Sequence, residues 1–116
     1  MSTIVIVDDD PGFRSQVSQI LEADGFVVIG EAGDGAAGLD AVRSRRPDFV
    51  LLDIGLPDLS GIEVARLLAS DGPPPLVVLT SSRDARAYGR RLLEAPSLGF
   101  IPKDRLSAAA IRALGT

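Results

Sequence analysis

At 116 residues the chain has the length of one domain with a real core, and its 46% apolar content with only 4% aromatics predicts a core of Val, Leu, Ile and Ala. The absence of Cys and His excludes disulfides, thiolate or imidazole metal sites, Ser-His and Cys-His nucleophile pairs, and an internal phosphohistidine. A net charge of −4 argues against a nucleic-acid surface, which needs a basic excess.

No apolar run is long enough to span a membrane, and the N-terminus lacks the pattern of a signal peptide. A cysteine-free chain suits a reducing cytoplasm, the expected location. Thr3-Ile4-Val5-Ile6-Val7 is a β-branched run and predicts a first strand. It stops at Asp8-Asp9-Asp10, and Pro11 opens a helix capped by Asp10, with Phe13, Val17, Ile20 and Leu21 on one face. Asp24-Gly25 ends that helix, and residues 26–29 predict a second strand. Asp34 caps a helix expected to carry Ala37, Ala41 and Val42 inward. Four apolar residues, 49–52, then lead to Asp53 and read as a strand buried on both faces. Ser60 and Glu63 form a Ser-x-x-Glu capping box for a helix reaching about Ser70. Residues 76–79 predict a fourth strand, ended by Thr80-Ser81-Ser82. A helix from about Asp84 to Glu94 is expected next, with Ala85, Tyr88 and Leu92 on one side. A short strand at 98–101 and a last helix, Ala108 to Leu114 capped by Ser107, complete the chain. No linker or repeat interrupts it, so residues 1–116 read as a single domain.

Strands alternating with helices predict an α/β fold, a doubly wound parallel sheet of the (βα)5 kind. The order 2-1-3-4-5, the flavodoxin-like one, suits five strands and places strands one and three side by side. Asp8, Asp9 and Asp53 then meet at the switch point, with Thr80 and Lys103 on the same rim. Three crowded carboxylates stay ionised only beside a cation, and oxygen ligands with open positions suit Mg²⁺ better than a Ca²⁺ cage. Asp10 needs no role beyond capping. An aspartate carboxylate can attack phosphorus and form an acyl phosphate. Lys103 offers a point charge and Thr80 a hydroxyl for the phosphoryl oxygens.

Four stretches carry a family resemblance: Ile-Val-Asp-Asp-Asp-Pro at 6–11, Pro-Asp-Phe-Val-Leu-Leu-Asp-Ile-Gly-Leu-Pro-Asp-Leu-Ser-Gly at 47–61, Leu-Thr-Ser at 79–81 and Gly-Phe-Ile-Pro-Lys-Asp at 99–104. In order and spacing they resemble the receiver domain of two-component response regulators across the whole chain. The resemblance implies that Asp53 is phosphorylated by a sensor histidine kinase or a phosphotransfer protein. It makes Asp8, Asp9, Asp53 and the main-chain carbonyl of Gly55 the Mg²⁺ ligands. Thr80 becomes the switch hydroxyl, Lys103 the phosphate-binding lysine, and Phe100 the aromatic whose rotamer follows Thr80. Ser81, being small, leaves the phosphoryl group accessible. Such a domain is a phosphoacceptor rather than an enzyme, catalysing only its own phosphorylation and slow dephosphorylation. It signals through the face of helix four, strand five and helix five, to a second copy of itself or to a downstream protein.

The chain departs from the family pattern at that face. Pro102 precedes Lys103 and Asp104 follows it, so a cis bond after the lysine is disfavoured. Pro96 and a brief last helix also fall there. Arg83, Arg86 and Arg90, spaced i, i+3 and i+7, form either a solvated stripe or a docking surface for an acidic partner. The loop wording resembles receivers that carry helix-turn-helix domains, yet this chain shows no DNA-binding segment, and neither DNA nor membrane binding is expected of it alone. One rival is a phosphohydrolase of the haloacid-dehalogenase kind, whose opening motif Asp8-x-Asp10 resembles with Asp8 as nucleophile. Gly12 stands where that motif has threonine or valine. The other rival is an interaction module without phosphorylation, disfavoured because all five rim positions keep their chemistry.

Overall fold

The apolar runs become strands of one parallel sheet. In the computed structural model, which describes residues 1–115, these are β1 (Thr3–Val7), β2 (Val27–Ala32), β3 (Phe49–Asp53), β4 (Leu76–Ser81) and β5 (Gly99–Pro102). They pair in parallel in the order β2-β1-β3-β4-β5, the order expected. Helices α1 (Pro11–Ala23), α2 (Gly35–Arg45), α3 (Gly61–Ser70), α4 (Arg90–Glu94) and α5 (Ala108–Leu114) follow the strands in turn.

Side chains alternate across the sheet. Ile4, Ile6, Leu51 and Val78 pack with Val17 and Leu21 of α1 and with Ala108 and Ile111 of α5. Val5, Val7, Val50, Leu52, Val77 and Leu79 pack on the other face with Leu39 and Val42 of α2 and with Ile62 and Leu68 of α3. Burying one Leu or Ile side chain contributes about 2 kcal/mol. All five residues of the central strand β3 are buried, which explains its unbroken apolar run.

Short polar side chains begin α1, α2, α3 and α5. Asp10 accepts from the amides of Gly12 (2.9 Å) and Phe13 (3.3 Å), Asp34 from Ala37 (2.7 Å) and Ser107 from Ala110 (3.0 Å). Ser60 accepts from Ile62 (3.2 Å), but Glu63 lies 3.6 Å from Arg66 instead of closing the capping box. Ala37 is exposed; Gly35, Gly38, Leu39 and Val42 form the buried stripe of α2. Alanine favours helix on either face, so its position says little about which side is inward.

Three expected boundaries move. β2 runs on through Gly30 and Glu31 to Ala32, with a register shift against β1 between Ile4 and Val5. These residues hid the extension because β2 is an edge strand with exposed Glu31. β4 includes Thr80 and Ser81, and β5 sits one residue later than expected. The continuous helix over 84–94 does not form. A 3₁₀ turn, Ala85–Ala87, is followed by Gly89 at φ 58°, ψ −137°, and only then by the five residues of α4. Glycine adopts that positive φ without a Cβ clash, which lets the chain break there. Tyr88 and Leu92 still pack on the sheet. Arg83, Arg86 and Arg90 therefore do not share one helix face: Arg83 precedes the 3₁₀ turn, Arg86 lies in it, and Arg90 opens α4.

Candidate functional site

The register of β1 on β3 pairs Val7 with Leu52, so Asp8 and Asp53 emerge side by side at the carboxyl rim. Asp8 is 1% exposed and Asp53 4%. One carboxylate oxygen from each of Asp8, Asp9 and Asp53 lies within 4.8 Å of the others. β4 pairs Thr80 with Asp53, and Lys103 follows the last residue of β5 in a 3₁₀ turn, Lys103–Arg105. Its Nζ stands 2.6 Å from Asp8 Oδ2 and 3.4 Å from Asp53 Oδ2. The five expected residues are brought together. The peptide bond after Lys103 is trans, as are all the described ones.

Asp8 Oδ1 accepts from the Asp10 amide at 2.9 Å. Its Oδ2 is buried and meets Lys103 as a charge, off the direction of a hydrogen bond, so it accepts none. A buried carboxylate oxygen in that state is costly unless a cation faces it. All the donors are oxygens, with no nitrogen or sulfur ligand, a set that fits a hard divalent ion. Burial pushes the Asp53 carboxyl above the usual carboxylate range, and repulsion from Asp8 adds to it. The Gly55 amide, donating to Oδ1 at 3.2 Å, and Lys103 oppose this without cancelling it. Burial pulls the Lys103 ammonium down, but its pairing with the Asp8 and Asp53 carboxylates outweighs this and raises it, so it stays charged.

Several supporting residues were not legible beforehand as parts of the site. Lys103 Nζ lies 4.4 Å from the centre of the Phe13 ring, a cation–π contact of about 1 kcal/mol. Arg14 donates to the Asp8 carbonyl at 2.5 Å and to Glu31 at 3.2 Å, tying the end of β1 to β2. Gly61, the first residue of α3, donates to the Ile54 carbonyl at 2.9 Å, and a Cβ there would stand 2.2 Å from the Asp53 carbonyl oxygen. The only sequence signals were an arginine one turn into α1 and a glycine after a helix cap.

Asp58 pins the β3–α3 loop to the start of α2, accepting from the amides of Gly35 (2.7 Å), Ala36 (3.0 Å) and Leu59 (2.8 Å). The Gly35 and Ala36 bonds, foremost, hold its carboxyl below the usual range. A depressed acid stabilises the fold above its unfolded pKa of about 3.9 and loses that contribution as pH falls through its folded value. Asp58→Asn is therefore expected to melt below wild type at neutral pH, the gap closing below about pH 4. Thermal melts across the acid range check this; a gap independent of pH would refute it.

Thr80 is 1% exposed, and its Oγ1 donates to the Ile101 carbonyl at 2.7 Å. Ser81 Oγ lies 2.6 Å from the Tyr88 hydroxyl and accepts from the Arg83 amide at 3.0 Å. Phe100 is half-buried against the core face that Leu79 shares. Asp9, Asp53, Gly55, Ser81, Tyr88 and Lys103 line an open cavity of about 730 Å³. Asp53 opens onto that cavity, whereas Asp8 is not part of its lining, which weakens the reading of Asp8 as a nucleophile. Arg83 also lines the cavity, while Arg86 and Arg90 are exposed elsewhere.

A doubly wound sheet with acids, a hydroxyl and a lysine gathered on its carboxyl rim defines a class of α/β ligand-binding domain. Comparison with known proteins is more specific. The family model for the response regulator receiver domain matches residues 4–114, and the chain belongs to that family. It is a receiver domain of two-component response regulators, a signalling domain whose family function is phosphorylation and signalling to an output domain. The signal receiver domain of the response regulator NarL from Mycobacterium tuberculosis superposes with a TM-score of 0.88 at 35% identity, covering 97% of this chain and 92% of that one. The BeF3-activated N-terminal receiver domain of Klebsiella pneumoniae RstA gives 0.84 at 28% identity, covering 97% and 95%. The DNA-binding response regulator MtrA of Mycolicibacterium smegmatis is 46% identical over 83 residues, 70% of this chain and 35% of MtrA. The chain spans about half the length of the first relatives it matches, 50% of one and 48% of another. Among the described residues no helix is long and apolar enough to cross a membrane.

Proposed function

We propose that Asp53 accepts a phosphoryl group from a sensor histidine kinase or a phosphotransfer protein in the cytoplasm, and that residues 1–116 act as one switching unit. The observation that carries this is the Asp53 carboxylate itself: nearly buried, open to one cavity, 3.4 Å from Lys103 and grouped with two other acids. Asp8, Asp9, Asp53 and the Gly55 main-chain carbonyl would hold Mg²⁺. When bound, the ion would offset the charge of the acids and of the phosphoryl oxygens.

An Asp53 oxygen attacks phosphorus as the bond from phosphorus to the donor nitrogen breaks, leaving an acyl phosphate on the side chain. The domain catalyses only this transfer and the slow attack of water on the acyl phosphate, which releases inorganic phosphate and restores the Asp53 carboxylate. Lys103 keeps its ammonium and turns it from the carboxylate to the phosphoryl oxygens. Thr80 has one hydroxyl hydrogen, now used on Ile101, and gives up that bond to reach a phosphoryl oxygen. The exchange is favourable because a bond to an anion is worth about 2 kcal/mol against about 1 for a neutral one. Phe100 turns into the space that Thr80 leaves. The face of α4, β5 and α5 then changes for a second copy, a downstream protein or an output domain, with Arg83, Arg86 and Arg90 beside it for acidic contacts.

Incubation with acetyl phosphate and Mg²⁺ is expected to add about 80 Da to the intact mass, one phosphoryl unit, mapping to Asp53. An unaltered mass, or a label on another residue, overturns the proposal. Mg²⁺ alone should raise the melting temperature, because an ion that binds only the folded state adds about 2.7 kcal/mol at roughly 100 times its dissociation constant. Asp9→Asn should weaken that response, and melts over a Mg²⁺ titration measure both.

A further inference from the structure

Among the described residues, one hydroxyl hydrogen at the cavity mouth has no acceptor. Thr80 has committed its single hydroxyl hydrogen to Ile101. The Ser81 and Tyr88 hydroxyls, 2.6 Å apart, hold two hydrogens between them, and their mutual bond uses one. Ser81 Oγ also accepts from the Arg83 amide, which occupies a lone pair but supplies no acceptor for the remaining hydrogen. Among the described residues no other hydrogen bond engages either hydroxyl. Whichever oxygen donates, one hydrogen is left over, and both residues line the cavity onto which Asp53 opens. The acceptors gathered there are anionic.

We infer that Ser81 and Tyr88 act as a hydroxyl pair that donates a hydrogen bond to the phosphoryl group carried by Asp53, a donor additional to Thr80 and Lys103. The inference rests on Asp53 as the phosphoacceptor. Tyr88 belongs to the site because the break at Gly89 ends the preceding turn and leaves its ring packed on the sheet with the hydroxyl at Ser81.

Ser81→Ala and Tyr88→Phe each remove one hydroxyl and each leave one free hydrogen in the cavity. Only the double variant leaves none. The test is calorimetric titration of the whole chain with beryllofluoride at saturating Mg²⁺, the BeF3⁻ group standing in for the phosphoryl group and its fluorines for the phosphoryl oxygens. Each single variant is expected to bind within about threefold of wild type, and the double variant about tenfold more weakly, the usual loss for a hydrogen bond to an anion. A packing role for Tyr88 would leave Tyr88→Phe and the double variant at the wild-type affinity; a pure tether would make a single variant as weak as the double. Either result overturns the hydroxyl pair. Tyr88 is the only tyrosine and the chain has no tryptophan, so wild-type tyrosine emission comes from this residue alone. It is expected to change on loading, and an unchanged emission counts against the pair. Beryllofluoride that fails to bind wild type, or still binds Asp53→Asn, overturns the phosphoacceptor reading instead, and this inference falls with it.

Discussion

Asp53→Asn is expected to lose all labelling by acetyl phosphate and yet to melt at a higher temperature than wild type in the absence of metal. The first effect follows from chemistry, since an amide has no carboxylate oxygen to attack phosphorus. The second follows from burial. The folded-state pKa of Asp53 is raised, foremost by desolvation and then by Asp8. Between the unfolded and the folded pKa the native state binds more protons than the unfolded chain, so stability falls as pH rises through that window. Above it the ionised carboxylate is a standing cost to the fold. An asparagine of nearly the same shape removes that charge and leaves Lys103 paired with Asp8. The gain should be on the order of 1 kcal/mol, or about 4 °C in melting temperature. Below the unfolded pKa both forms are neutral and the advantage should vanish. Mass spectrometry after labelling, with melts in a chelator across pH, measures both halves. A variant that melts below wild type at neutral pH would refute the burial argument, and one that still labels would refute the role of the carboxylate.

Gly61→Ala is expected to destabilise the domain by about 3 kcal/mol, lowering the melting temperature by roughly 12 °C. The added methyl would meet the Asp53 carbonyl oxygen at 2.2 Å and the Ile54 Cα at 2.8 Å. Those atoms belong to backbone and cannot swing aside as a flexible side chain would. Relief requires α3 to withdraw from the end of β3, which breaks the bond from the Gly61 amide to Ile54. The same movement displaces Asp53, so phosphorylation should slow even where the variant remains folded. Denaturant melts and labelling rates at low temperature separate the two effects. Wild-type stability in this variant would show that the contact is not a constraint.

The sheet and its rim were readable from short-range signals. Buried parallel strands are apolar throughout, helix caps are one-residue features, and parallel order places strand ends together, so the sequence pattern alone gathers Asp8, Asp53, Thr80 and Lys103. What escaped depends on long-range placement. Asp58 resembles any loop acid until its bonds to Gly35 and Ala36 are seen. Phe13 reads as a core residue of α1, and it does pack on the core, but its ring also lies beside the Lys103 ammonium. The break in the fourth helical segment escaped for another reason. Residues around Gly89 are mostly good helix formers, and nothing in their spacing announces a positive φ. Ala37 misled similarly, being apolar yet facing solvent.

The brevity of α4 has a consequence of its own. A five-residue helix without a side-chain cap does not persist alone in water. Its order depends on docking through Leu92, while its neighbour Leu93 stands 87% exposed. Covering Leu93 would contribute about 2 kcal/mol, comparable with what retains that turn. Any visitor to this flank thus pulls on a segment held by a margin of its own size, so winding there and occupancy must rise and fall together.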